Sequence, residues 1–288
     1  MPTNTLPSTV PVALPFSYPR VLSIAGSDSG GGAGIQADLK TMSALGCYGM
    51  TAITALTAQN TCGVRSIHGV PPQMLRDQID AVLEDIGVDA VKIGMLHSSD
   101  IVQTVADAIE RHRLPNVVFD PVMVATSGAV LIDNSAVDVL VRELFPRAVL
   151  ITPNLDEAAF LVKRALHTES DMEVAATDLL AMGAAAVLVK GGHLQGEVVS
   201  DLLAFASGER VWMRDSRIHT PNTHGTGCTL SSAIASYLAL GQDLLGAVQS
   251  ARTYIRGALQ HGAQVRTGKG GGPLNHSFAP QAMVRRAL

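Results

Sequence analysis

From residue 20 to residue 190 the chain alternates short apolar runs with amphipathic stretches, and few folds accept that order. The runs are 21–25 (VLSIA), 51–56 (TAITAL), 90–93 (AVKI), 117–120 (VVFD), 148–152 (AVLIT) and 186–190 (AVLVK). Each is brief, rich in β-branched residues and followed by a polar or glycine-rich turn. Strands of a parallel sheet covered on both faces read this way. Between them, Leu75, Ile79, Val82 and Ile86 recur at helical spacing, as do Val102, Val105 and Ile109. The alternation predicts an α/β fold, a three-layer sandwich whose mostly parallel sheet carries helices on both faces.

Residues 198–218 alternate as a hairpin does, with Ser207-Gly208 at its turn. Two helices are expected over 229–240 and 243–261, and residues 268–273 (GKGGGP) read as a loop. No repeat or interior linker interrupts the pattern, so residues 20–288 are expected to form a single domain. Residues 1–19 are rich in Pro, Ser and Thr, carry no charged side chain and are expected to be a disordered tail. A chain of 288 residues, 47% hydrophobic, has material for a large core. Its net charge of −4 and scattered basic residues give no reason to expect nucleic acid. No apolar run approaches the ~18 residues of a membrane span. Three cysteines (Cys47, Cys62, Cys228) without metal-like spacing suit a reducing compartment, hence a cytoplasmic protein.

Ligands of open α/β sheets bind beyond the carboxyl ends of the strands. Asp28, Gln59, Gly94-Met95, Asp120, Asn154 and Lys190-Gly191-Gly192 all fall there. Gly225-Thr226-Gly227-Cys228 precedes a helix-forming run. Helix N-termini bind anions through unpartnered amides and the macrodipole, and glycines let the backbone close on a phosphate. The same field would draw a thiol toward thiolate. The ordinary structural role is a turn capped by Thr226 with a buried cysteine. Gly30-Gly31-Gly32-Ala33-Gly34 stands where a dinucleotide fold has its fingerprint, but Gln59-Asn60 replaces the ribose-binding acid, which disfavours NAD.

Asp38, inside the helical run 35–45, reads either as a solvated carboxylate or as an acceptor for a substrate amino or hydroxyl group. Asn154 and Glu157, spaced i, i+3 after Thr152-Pro153, read either as a helix-capping pair or as groups turned toward Mg²⁺ and its waters. Lys190 reads either as a phosphate-reaching cation or as a lysine snorkelling at a strand end. His193, His219 and His224 are assigned no role.

Taken together, AGSDSGGGAGIQADLKTMSALG, ITALTAQNT, KIGML, DPVMVATSG, ITPNLDEA, VLVKGGH and NTHGTGC resemble the hydroxymethylpyrimidine/phosphomethylpyrimidine kinases of thiamine biosynthesis, over roughly residues 20–276. The resemblance implies a ribokinase-like sandwich and two successive phosphorylations using ATP and Mg²⁺. The hydroxymethyl group of 4-amino-5-hydroxymethyl-2-methylpyrimidine would receive the first phosphoryl group, and the monophosphate the second. By resemblance Asp38 and Gln59 bind the aminopyrimidine, with Met95 and Thr57 lining its pocket; Thr57 stands where relatives often carry an aliphatic residue. Gly225, Thr226 and Gly227 form the anion hole, Cys228 is the base and Lys190 contacts phosphate. Asn154 and Glu157 match a metal-associated N-x-x-E pattern, and Asp120 an acidic position near the metal. A homodimer is also implied. Two local departures are Ser29 to Gly32 in place of Pro-Ser-Gly-Gly, and Gly271 in place of His. The competing readings are a pyridoxal/pyridoxine kinase of the same superfamily and an inactive pyrimidine-binding sensor; phosphate-handling residues argue against the second.

Overall fold

The computed structural model describes residues 15–123 and 134–288. In chain order the elements are β1 (Phe16–Ser17), β2 (Arg20–Ala25), α1 (Gly34–Ala44), β3 (Tyr48–Ile53), β4 (Ala55–Asn60), β5 (Gly63–Gly69), α2 (Pro72–Asp85), β6 (Ala90–Ile93) and α3 (Ser99–His112). There follow β7 (Val117–Phe119), α4 (Asn134–Leu144), β8 (Leu150–Ile151), α5 (Leu155–Leu161), α6 (Glu169–Ala181), β9 (Ala186–Val189), β10 (Val198–Phe205), β11 (Arg210–Ser216), α7 (Thr226–Ala239), α8 (Leu244–Gly262) and β12 (Arg286–Ala287).

The main sheet runs β11-β10-β9-β8-β7-β6-β2-β3. From β9 to β3 every pairing is parallel, while β10 and β11 add an antiparallel margin. Successive strand residues point to opposite faces, and both faces are filled. Leu22, Ile24, Val91, Ile93 and Phe119 pack with Leu75, Ile79, Ile101 and Val105 of α2 and α3. Val21, Ala90, Val118 and Leu188 pack with Met42 of α1, Ile234 of α7 and Val248 of α8. These are the three layers that continuous β-branched runs predict, because a strand covered on both sides needs no polar alternation.

Two boundaries differ from expectation. The run 51–56 is not one strand. At Thr54 the amide still donates to Ala25 O (3.0 Å), but the hydroxyl donates to Met95 O (2.8 Å). The chain then leaves the sheet, and β4 pairs antiparallel with β5 as a separate two-stranded ribbon. Residues 15–19, expected in the tail, include β1, which pairs with β12. The rest of the expected tail, and Val124 to Gly128 of the DPVMVATSG motif, lie outside the described residues. The hairpin β10–β11 forms with Gly208 in the left-handed region, as its turn requires. Among the described residues no helix is long and apolar enough to cross a membrane.

Candidate active site

Because the strands from β9 to β3 are parallel, their carboxyl ends share one edge of the sheet. A cavity of about 890 Å³ lies along that edge. Its walls come from the ends of β2, β6, β7 and β9, from the ribbon β4–β5, from α5 and from the start of α7. All the candidate residues line it except Asp38.

The helix α7 begins three residues earlier than its apolar pattern suggested, so Thr226, Gly227 and Cys228 form its first turn rather than a loop before it. The N-cap is Gly225, not Thr226. Its φ of 87° is left-handed, and a Cβ there would collide with the Gly32 carbonyl. The Thr226 amide and hydroxyl both turn back to Thr223 O. Gly227 and Cys228 lie in the first turn, where no helix carbonyl reaches their amides. A Cβ on Gly227 would stand 3.3 Å from both Lys190 Nζ and Asp120 Oδ2, so glycine keeps the space above that pair clear.

Lys190 donates to Asp120 Oδ1 at 2.8 Å, and the Thr152 hydroxyl donates to the same oxygen at 2.9 Å. Asp120 is 1% exposed. Burial alone would raise its pKa, but the charges of Lys190 and Lys92 hold it below the usual carboxylate range. Lys190, by contrast, is raised: burial works against its charge, but Asp120 and Glu157 favour it, and the hydrogen bond to Asp120 adds to the rise.

At the start of α5 the structure forms a reciprocal capping box. Asn154 Oδ1 accepts from the Glu157 amide (2.9 Å) and Glu157 Oε2 accepts from the Asn154 amide (2.7 Å). Both residues also border the cavity. Burial pushes Glu157 up to about 7, with Asp120 and Asp156 adding to the rise and Lys190 opposing it. A carboxylate so raised, beside a second carboxylate, is a donor set that a cation would stabilise. Glu157 Oε2 is engaged in the cap, and no hydrogen bond to Oε1 is found among the described residues. The set therefore fits Mg²⁺, which uses few protein oxygens and keeps water and phosphate ligands.

Two expectations change here. Asp38 is neither solvated nor open to substrate. It is fully buried, and its oxygens accept from Lys92 Nζ (3.0 and 2.9 Å), Ser23 Oγ (2.6 Å) and Ser232 Oγ (2.7 Å). Four acceptor positions are thus filled by the protein. The residue of this cluster that borders the cavity is Lys92, itself fully buried, which sequence reasoning passed over inside the strand AVKI. Burial works most strongly against its charge, but Asp38, Cys228 and Asp120 together raise its pKa. Nor is Cys228 drawn toward thiolate. Burial pushes the thiol up to about 11; Lys92 and the Gly34 amide pull it down, and Asp38 and Asp120 push it further up.

The ribbon brings Thr57 and Gln59 to the cavity, and the end of β6 brings Met95. Met95 packs with Ala55 and Val122. His224, left without a role by the sequence, sits between walls: its Nε2 is 2.8 Å from Asp28 Oδ2 and 3.5 Å from Gln59 Nε2. Asp28 also accepts from the amides of Gly30 (2.8 Å), Gly32 (3.0 Å) and Ala33 (2.9 Å), which fixes the glycine loop. Burial would raise Asp28, but His224 and those amides keep it low. The only forewarning of His224 was its place directly before Gly225. His193 pairs with exposed Asp156 and His219 with exposed Glu197.

A family model described as phosphomethylpyrimidine kinase matches residues 28–275. The chain is 50% identical over 256 residues to the hydroxymethylpyrimidine/phosphomethylpyrimidine kinase of Rhizobium meliloti, covering 88% of this chain and 96% of that one. It is 51% identical over 268 residues to the thiamine biosynthesis bifunctional protein ThiED of Geobacter sulfurreducens. That match covers 93% of this chain but only 54% of the longer relative, so the chain spans about half of it. Among solved structures, an ADP complex of Bacillus subtilis pyridoxal kinase superposes with a TM-score of 0.83 at 37% identity, covering 91% of this chain and 98% of that one.

Proposed function

Since this chain belongs to the phosphomethylpyrimidine kinase family, we propose that it transfers a phosphoryl group from ATP to 4-amino-5-hydroxymethyl-2-methylpyrimidine, and then a second to the monophosphate. The observation that carries this reading is the first turn of α7, whose glycine-lined amides stand over the Lys190–Asp120 pair at the carboxyl edge of the sheet. Phosphoryl transfer asks chiefly for positioning and charge stabilisation, and this corner supplies both.

In the first transfer the amides of Gly227 and Cys228 and the ammonium of Lys190 stabilise the charge on the moving phosphoryl group. Loss of one such donor typically costs about 3 kcal/mol of transition-state stabilisation. Cys228 takes the proton from the substrate hydroxyl. In the second transfer the acceptor is a phosphate oxygen, already ionised near neutral pH, and no base is required. Gln59, Thr57 and Met95 hold the ring, while Asp38 acts indirectly by fixing Lys92. Asp120, Glu157 and Asn154 are the residues that would hold Mg²⁺, which when bound neutralises phosphate charge. The domain is taken to be one kinase unit over residues 20–288, acting as a homodimer in the cytoplasm; the free cysteines suit a reducing compartment.

Pyridoxal kinase is the second reading, favoured by the TM-score of 0.83 to the Bacillus subtilis enzyme. Incubating the purified chain with MgATP and either the hydroxymethylpyrimidine or pyridoxal, and counting phosphates added, separates the two. A diphosphate from the pyrimidine is expected. Phosphorylation of pyridoxal alone overturns the pyrimidine reading.

A further inference from the structure

The carboxamide of Gln59 is held at both ends, and both ends agree on which way it faces. At one end, Thr57 Oγ1 lies 2.8 Å from the Ser27 carbonyl oxygen and 3.1 Å from the Oε1 position of Gln59. A hydroxyl has one hydrogen, and a carbonyl can only accept. The Ser27 carbonyl, at the shorter distance, takes that hydrogen. The Thr57 oxygen is then left with lone pairs, and its neighbour at 3.1 Å has to donate.

At the other end, the Nε2 position of Gln59 lies 3.5 Å from His224 Nε2, and that ring nitrogen is 2.8 Å from Asp28 Oδ2. An ionised carboxylate only accepts, so His224 Nε2 carries a hydrogen whether the ring is neutral or charged. An amide NH₂ facing that N–H sets donor against donor. The two ends of a carboxamide exchange by a half-turn, and its hydrogen-bond network decides between them. One half-turn gives the Thr57 oxygen a donor and turns the carbonyl, rather than the NH₂, toward the His224 N–H, whose own hydrogen bond goes to Asp28.

We propose that Thr57 and His224 are positioning residues that lock Gln59 with its NH₂ toward Thr57 and its carbonyl oxygen toward His224. Thr57 then occupies one amide hydrogen beside the stem, while the His224 N–H, bonded to Asp28 Oδ2, faces the carbonyl oxygen and disfavours the NH₂ in its place. What remains is the outer edge, an acceptor next to a donor. Glutamine reads the amino group and adjacent ring nitrogen of adenine with that same edge. Its complement is a ring bearing an amino group beside a bare ring nitrogen, with the amino group on the His224 side. A 4-aminopyrimidine offers that pair. A 4-oxo ring offers carbonyl beside N–H, the reverse order, and the locked carboxamide meets it like against like. The inference deepens the pyrimidine reading and rests on it.

The test measures kcat/KM for 4-amino-5-hydroxymethyl-2-methylpyrimidine and for its 4-oxo analogue. A site built on hydrogen bonds rejects the mismatched ring strongly, so the wild type favours the amino compound. Thr57→Val keeps the volume, removes the oxygen and frees the amide to turn. The amino-to-oxo ratio is expected to fall about tenfold, mainly through the KM of the amino compound. Thr57→Ala should lower it similarly, and Thr57→Ser should restore it. A residue that only packs would lower both compounds alike, so an unchanged ratio in Thr57→Val and Thr57→Ala overturns the proposal. A wild type that phosphorylates neither ring overturns the pyrimidine reading itself, and this proposal with it.

Discussion

Cys228 is under opposing demands. The first turn of α7 favours an anion at its position, yet burial pushes the thiol up to about 11. Near pH 7 the thiolate is then about one part in ten thousand. With a base that scarce, the first transfer should speed up close to tenfold per pH unit across roughly pH 6 to 9. The second transfer, whose acceptor has no proton to lose, should stay flat. Cys228→Ala is expected to remove that slope and to slow the first step by about 10²–10⁴-fold, leaving the second within a few-fold. Single-turnover rates for both steps decide this, and equal loss in both would mean that the thiol serves geometry instead. Gly227 makes a contrasting case. Gly227→Ala places a methyl 3.3 Å from Lys190 Nζ and Asp120 Oδ2, in space the phosphoryl group needs. Both transfers should fall by about a hundredfold or more. Thermal stability should hold or rise, since alanine is the better helix former by about 1 kcal/mol. A variant that loses stability as well as activity would mean that Gly227 is there for packing.

Between elements, the Asp38–Lys92 pair joins α1, β6, α7 and β2, because Ser232 of α7 and Ser23 of β2 donate to the same carboxylate. Neither charge reaches solvent. Lys92→Met therefore leaves a buried carboxylate without its cation, a loss of about 3–5 kcal/mol. Adding Asp38→Asn removes that charge, and most of the loss should return. Urea unfolding of the single and double variants measures this, and a double variant no more stable than Lys92→Met would sink the account. Such pairs mark where sequence reading ends. The strands were legible because burial on both faces writes continuous apolar runs, and the glycine-rich start of α7 because glycines at a helix start are a local signal. Lys92 was not, since nothing in AVKI reveals that a carboxylate 54 residues earlier will cover it. The ribbon β4–β5 was missed for a related reason. TAITAL contains no turn residue, and the break at Thr54 is made by a hydrogen bond to Met95 O, a partner from another strand end. The capping box at Asn154 and Glu157 was foreseen as an alternative, and it coexists with their position on the cavity wall.

At the scale of the whole molecule, the C-terminal segment is tied to the helical layer behind the site through His276. Its ring Nε2 meets the Thr229 hydroxyl of α7 at 2.9 Å, and its carbonyl accepts from the Tyr254 hydroxyl of α8 at 2.7 Å. Burial, assisted by the charge of Lys40, lowers this histidine from 6.5 to about 4. Between those values the unfolded chain binds a proton that the folded chain refuses, so ν_U exceeds ν_N and stability rises with pH. The contribution is fully present above about pH 6.5 and is lost as pH falls toward 4. A depression of that size corresponds to at most about 3 kcal/mol. His276→Gln keeps a polar side chain but does not titrate. Denaturant unfolding of wild type and variant at several points from pH 4 to 7 should show the wild type losing stability more steeply toward acid. The two curves should approach each other as pH falls, because what the wild type loses is the neutral buried ring that the variant never had. Parallel curves across that window would show that His276 is not held neutral.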